Sequence, residues 1–187
     1  TLPHAFSSLQ RQDITQVLAG AMLALHEHGA ALAGGHTAEG EAMQVGFAVT
    51  GVLPEQYSPY APKDGDVLIL TKPLGVGAIL AAHQQGHPLA TGHLRQRVIE
   101  IMAQSNGMAA DIFGQYGALP MTDVTGFGLA RHALSLIASL GDGTHSLDIH
   151  LDDVPVLPSA RRLIAEQIVS SLHHANRLAA PVVSSRD

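Results

Sequence analysis

One carboxylate in this chain stands where chemistry on a phosphate would need it. Asp123 lies in Met121-Thr122-Asp123-Val124-Thr125-Gly126-Phe127-Gly128. An apolar run, Gly117 to Met121, leads in, and a helical pattern leads out: Leu129, His132, Ala133, Leu136, Ile137 and Leu140. The pattern predicts a strand handing over to a helix over Gly128 to Leu140. Thr125 is placed to cap that helix, and Gly126 and Gly128 let the backbone approach a ligand closely. A carboxylate beside free N–H groups at a helix start suits a magnesium–phosphate ligand. The carboxylate holds the hard cation and the N–H groups face the anion. The residues alone leave a second reading open, an Asp that only caps its own helix, because short glycine motifs recur by chance.

A second constellation is Leu32-Ala33-Gly34-Gly35-His36-Thr37-Ala38-Glu39-Gly40. Two adjacent glycines suit a phosphate cradle, since a Cβ there would hold the anion away from the backbone. The same pair also suits a plain turn. Thr37 adds a hydroxyl. Glu39 and Glu41 offer secondary acidic contacts or a solvated turn. Lys72 follows the run Val67-Leu68-Ile69-Leu70 and meets either a phosphate or open solvent at a strand end. The twelve histidines are scattered. His26/His28 and His173/His174 are close pairs without the third ligand a metal site requires.

Composition narrows the class. The 187 residues are 46% hydrophobic, enough for a core built mainly from Ala, Leu, Val and Ile. A formal net charge of −6 argues against a nucleic-acid binder, which shows a basic face. It leaves nucleotide binding open, because a metal and backbone dipoles offset phosphate charge. The absence of cysteine excludes disulfides, zinc thiolate sites and thiol catalysis within the chain. No apolar run approaches the roughly 20 residues of a membrane helix, and no signal-peptide pattern is visible. The chain begins with Thr, so a piece of a longer protein is expected.

The elements that would position these residues follow from periodicity. A helix capped by Asp13 or Thr15 is expected to run to about His28, with Gly29 ending it. Short strands are expected over Ala30 to Ala33, Gln44 to Leu53 and Asp66 to Thr71. Pro54 to Pro62, with Tyr57 and Tyr60, reads as a boundary or crossover loop. Helices are expected over Gly75 to Gln85, Leu94 to Tyr116 (weakened at Gly107) and Gly128 to Leu140. Gly141-Asp142-Gly143 reads as a turn, Ser146 to Asp152 as a strand, and Ser159 to Leu172 as a last helix. This alternation predicts an α/β layered domain.

Four strings, taken in order, resemble the selenophosphate synthetases, or selenide, water dikinases. They are Gly34-Gly35-His36-Thr37, Val45-Gly46-Phe47-Ala48-Val49-Thr50-Gly51, Lys63 to Gly75, and Thr122-Asp123-Val124-Thr125-Gly126-Phe127-Gly128. The resemblance runs from about Ala31 to Leu157 and favours the selenium enzymes over their purine relative, aminoimidazole ribonucleotide synthetase. It implies that residues 1–53 are the remnant of an N-terminal ATP-binding domain. Residues 54–187 would be a three-layer α/β/α C-terminal domain, incomplete at its end. It implies ATP and selenide as substrates, Mg2+ as cofactor, a cytoplasmic homodimer, and release of AMP and phosphate. Gly34, Gly35, His36 and Thr37 would contribute to a nucleotide site shared across the dimer, and Asp123 would be a magnesium ligand. The family's reactive Cys or selenocysteine and its essential Lys would precede residue 1, so no catalytic residue is assigned and the chain alone is expected to be inactive. The end of the chain departs from the family: Ser170-Ser171-Leu172-His173-His174 stands where the family has a glycine-rich segment. Two other readings stay open. One is a purine, thiamine-phosphate or hydrogenase-maturation member of the superfamily. The other is a non-catalytic module fused to another enzyme.

Overall fold

Helices in this chain are defined by how their ends satisfy the backbone. The computed structural model describes residues 1–3, 7–52, 63–117, 120–140 and 145–178. The chain divides into two units, Thr1–Leu53 and Pro54–Asp187.

In the first unit, helix α1 spans Ser8–Glu27. It starts at a reciprocal cap. The Ser7 hydroxyl accepts from the Gln10 N–H at 3.3 Å, and the Gln10 side chain accepts from the Ser7 N–H at 2.7 Å. This capping box corrects the expected start at Asp13 or Thr15, because it satisfies the free donors earlier in the chain. Thr15 lies inside the helix and donates to the Arg11 carbonyl at 2.8 Å. Gly29 ends α1 as expected, at φ 64. There the Ala30 N–H returns to the Leu25 carbonyl and the Gly29 N–H to that of His26, a Schellman closure. No side chain of α1 is buried. Leu2 is buried and forms a parallel bridge with Glu39.

The second unit has the core. Helix α2 (Val76–Gln84) packs on α3 (Gly92–Ala103) and on α6 (Ala160–Ala165). Ala78, Ile79 and Ala82 of α2 meet Val98 and Ile101 of α3 and Leu157, Ala160 and Leu163 around α6. A parallel bridge sets this packing: the Leu74 N–H donates to the Pro155 carbonyl, and the Leu157 N–H to that of Leu74. Gly75 follows at φ 115, and a Cβ there would lie 2.5 Å from the Ala160 Cβ. Only glycine meets both conditions.

The long helix expected over Leu94 to Tyr116 is two helices, α3 and α4 (Gly107–Gln115). The break comes where Gln104 turns extended, at ψ 122. The Lys72 ammonium donates to the Gln104 carbonyl, and Ser105 accepts the Gly107 N–H. Lys72 therefore sits at the C-terminal end of α3, where a cation is favoured. Helix α5 is Gly128–Ala138, close to the expected span. The last helix, expected to reach Leu172, stops after six residues. Gln167 takes φ 64, and the Ile168 N–H closes onto the Leu163 carbonyl. A short α7 follows, His173–Leu178.

The expected strands do not form ladders. Among the described residues, β-pairing is confined to the Leu2–Glu39 and Leu74–Val156 bridges. A strand acquires its hydrogen bonds only from a neighbour. Gln44 exchanges backbone bonds with Thr1, but among the described residues the runs over 30–33, 45–52, 66–71 and 146–152 have no strand alongside. Val49 and Val52 are 84% and 96% exposed, and Val67 is 79% exposed. The fold at this level is mixed helical with few strands. The Pro54 to Pro62 loop, Tyr57, Tyr60 and the Gly141-Asp142-Gly143 turn lie outside the described residues.

Two stability predictions follow from this packing. Gly75→Ala should cost about 2–5 kcal/mol, combining a strained φ with overpacking on Ala160. Gly86→Ala, at φ 66 in open space, should cost roughly 1–2 kcal/mol. Urea denaturation of the two variants checks the ranking. The second concerns Glu166. The Arg162 guanidinium bonded to it, with His87 beside it, holds its carboxyl below the usual range. A depressed carboxyl stabilises the fold above its unfolded pKa and loses that contribution as pH falls through the folded value. Melting temperatures of the wild type and Glu166→Gln should therefore differ slightly at pH 7 and converge on acidification below the ordinary carboxylate range.

Candidate functional site

Asp123 precedes α5 in an exposed loop, and its carboxylate has no hydrogen bond or ion pair among the described residues. Everything around it is tied down. The Thr125 N–H donates to His132 Nε2 at 3.2 Å, and the Thr125 hydroxyl lies 3.3 Å from the same nitrogen. A nitrogen that accepts an amide proton carries none itself, so the network assigns the His132 proton to Nδ1. The Thr125 carbonyl in turn accepts the Gly128 N–H at 3.0 Å. Gly128 stands at φ 79, a value that suits glycine at this turn.

The expectation that Thr125 caps α5 is corrected. The N-cap position falls to Phe127, which makes no side-chain cap bond. Thr125 is held by His132 instead, seven residues on. Phe127 is held from the side: its ring lies 6.0 Å from that of His132, and the Arg131 guanidinium carbon sits 4.8 Å above it. The latter is a cation–π contact.

A tie from far along the chain completes the loop. The Asn176 side-chain amide donates to the Gly126 carbonyl at 2.8 Å across 50 residues. Leu172 packs so close to Gly126 that a Cβ there would meet its Cδ1 at 2.8 Å. Asn176 and His132 were missed by the reading of the sequence. His132 carried a faint signal, a polar side chain within an apolar helical stripe. Asn176 carried none, because its contact is non-local.

The residues predicted for the nucleotide site lie in the first unit. Gly34, Gly35, His36 and Thr37 are exposed and outside any helix. Neither glycine has positive φ, and a Cβ at either would meet nothing within 4 Å. The fold itself therefore places no demand for glycine at these two positions. Glu39 takes part in the Leu2 bridge, and Glu41 is exposed. Lys72 is engaged at Gln104. His173 and His174 stack edge to face, with ring centroids 5.6 Å apart. Among the described residues, no three His, Asp or Glu side chains converge as a metal cage.

Comparison with known proteins finds selenide, water dikinases similar to this chain over about nine-tenths of its length. The chain is 37% identical over 172 residues to the selenide, water dikinase of Trichlorobacter lovleyi, covering 91% of this chain and 48% of that protein. The selenide, water dikinase of Clostridioides difficile is 32% identical over 174 residues, covering 91% of this chain and 49% of the relative. That of Geobacter metallireducens is 36% identical over 176 residues, with the same coverage of both chains, 91% and 49%. The chain thus spans about half the length of the curated relatives it matches. No family model and no solved structure matches it.

The free carboxylate yields a prediction that separates function from folding. Asp123→Ala should leave stability unchanged within about 0.5 kcal/mol, as for a surface side chain with no partner. His132→Ala removes the acceptor of the Thr125 N–H and should cost about 1 kcal/mol. Urea unfolding of both variants decides the point. A large loss from Asp123→Ala would mean that the carboxylate has a structural role.

Proposed function

We propose that this chain is part of an ATP-dependent selenide, water dikinase, which makes selenophosphate from selenide, ATP and water and releases AMP and phosphate. The observation that carries the reading is the similarity to proteins of that name over nine-tenths of the chain. The free Asp123 carboxylate in a loop fixed on three sides supports it. No observation favours the purine, thiamine-phosphate or hydrogenase-maturation alternatives, or a non-catalytic module.

In this reading Asp123 contributes one ligand to Mg2+. A single open carboxylate fits a magnesium ion that arrives with a nucleotide, since such ions take one or two carboxylates plus phosphate oxygens and waters. The bound ion neutralises phosphate charge. The chain's own part is positioning: His132 holds Thr125, Asn176 holds Gly126, and the pinned loop presents Asp123. Gly34, Gly35, His36 and Thr37 form part of the nucleotide cradle. The lack of any packing reason for Gly34 and Gly35 supports a role in close approach to a ligand. Residues 1–53 belong to the ATP-binding domain and 54–187 to a three-layer α/β/α domain. The exposed apolar run at 45–52 is a strand of the first domain and that at 66–70 a strand of the second. The working protein is a cytoplasmic homodimer.

Two experiments test this. In the full-length protein, Asp123→Asn should raise the Mg2+ concentration needed for half-maximal AMP release at least about tenfold, the loss typical even of outer-shell partners. An unchanged metal requirement would sink the assignment of Asp123. The chain of 187 residues alone should release no AMP from ATP and selenide. Turnover by it would show that the chemistry needs nothing beyond these residues.

A further inference from the structure

The segment over 170–176 stands where the sequence departs from its family pattern, yet it lies against the Asp123 loop. Three contacts place it. A Cβ on Gly77 would lie 2.9 Å from the Ser170 Cβ, so this segment presses on α2. Leu172 presses on Gly126 in the same manner. Asn176, half-buried in α7, donates to the Gly126 carbonyl at 2.8 Å. Within the segment, the Asn176 N–H bonds back to the Leu172 carbonyl at 2.9 Å, which fixes the spacing between the two residues that touch the loop.

Gly126 is the weak point of that loop. It lacks a Cβ, and of the glycine-adjoining peptides between Thr125 and Gly128, Thr125–Gly126 and Phe127–Gly128 are already held by the Gly128 N–H bond to the Thr125 carbonyl, which leaves the peptide joining Gly126 to Phe127. In a trans peptide the C=O and N–H point in opposite directions. Holding the Gly126 carbonyl toward Asn176 therefore aims the Phe127 N–H away from α7. That N–H has no acceptor among the described residues. A turned-over peptide would present a carbonyl oxygen where the N–H now stands, at the start of α5.

We propose that Asn176 is a positioning residue for the metal–phosphate loop: its amide locks the Gly126–Phe127 peptide and so fixes the loop that presents Asp123. The proposal rests on the reading of Asp123 as a magnesium ligand, and the test separates the two. The protein is the full-length enzyme, carrying Asn176→Ala, Asn176→Asp, Asn176→Gln or Asp123→Asn. Three quantities are measured: amide hydrogen exchange over residues 122–129, the half-saturating Mg2+ concentration against kcat at saturating metal, and the melting temperature.

Asn176→Ala should speed exchange over 122–129 and raise the half-saturating Mg2+ about tenfold, with kcat at saturating metal within about threefold of wild type. Asn176→Asp should be worse than alanine, since an ionised carboxylate only accepts and would face the Gly126 carbonyl. Asn176→Gln, which keeps the donor, should recover part of the loss. A lowered melting temperature with unchanged exchange and unchanged metal requirement would overturn the proposal and leave Asn176 a packing residue. Loosened exchange in Asn176→Ala, together with an unaltered metal requirement in Asp123→Asn, would overturn the magnesium reading and leave the lock on the loop standing. A shifted metal requirement in Asp123→Asn, with nothing moved in Asn176→Ala, would overturn the lock alone.

Discussion

The close approach at Gly75 is the constraint on which the second unit depends. Leu74 and Leu157 exchange backbone bonds with their opposite segments, and Gly75 then passes within contact of Ala160. No side chain fits between them. This sets the start of α2 against α6, and α2 carries Ile79 and Ala82 into the core with Val98 and Leu163. The order continues outward. Gly77, the second residue of α2, is bare enough for Ser170 to rest on it. From Ser170 the chain reaches Leu172 and Asn176, both against Gly126. One missing Cβ after another lets backbone meet backbone or side chain, and the sequence of contacts runs from the core to the Asp123 loop.

Polar contacts in this loop act by direction more than by energy. A single neutral hydrogen bond contributes only about 0.5–1.5 kcal/mol to stability. The bonds from Thr125 to His132 and from Asn176 to Gly126 lie near the surface and give no more than that. Their effect is to remove alternatives. Thr125 has both its backbone groups fixed and Gly126 its carbonyl, while the Asp123 carboxylate between turn and solvent stays unpaired. A fixed backbone carrying an unpaired charge is an arrangement that folding alone does not reward, and binding can.

The helices were legible where local chemistry decides them. Gly29, the span of α2 and the apolar spacing in α5 marked ends and a face that the structure keeps. The misses share one cause, partners distant in sequence or competing nearby. The Ser7–Gln10 box displaced Asp13 as a helix start. The long α3–α4 pattern broke just ahead of Gly107, its expected weak point, where the Gln104 carbonyl turns to Lys72, far upstream. Gln167 ended α6 in a left-handed conformation that its residue type does not advertise. The apolar runs read as strands lack ladders here, since alternation names a face and not the neighbour that must pair with it. At the site, Asp123 was visible as a carboxylate beside glycines, but the residues that hold its loop were not.

Phosphoryl transfer asks a protein mainly for placement and charge balance. On the proposed reading, a loop with two glycines allows close approach and also allows error. Gly126 and Gly128 leave room for a bulky anion, and the same freedom lets the Gly126–Phe127 peptide take the wrong orientation. Adding a Cβ would cure the second problem by recreating the first, because Leu172 already occupies the space a side chain would need. An amide reaching in from another segment resolves the conflict: it restricts the carbonyl without placing any atom on the ligand side. The cost of this solution is long-range dependence, since the tie on the Gly126 carbonyl needs residues 170–176 to be seated on α2. Seating that segment and shaping the Asp123 loop are therefore one event in the fold.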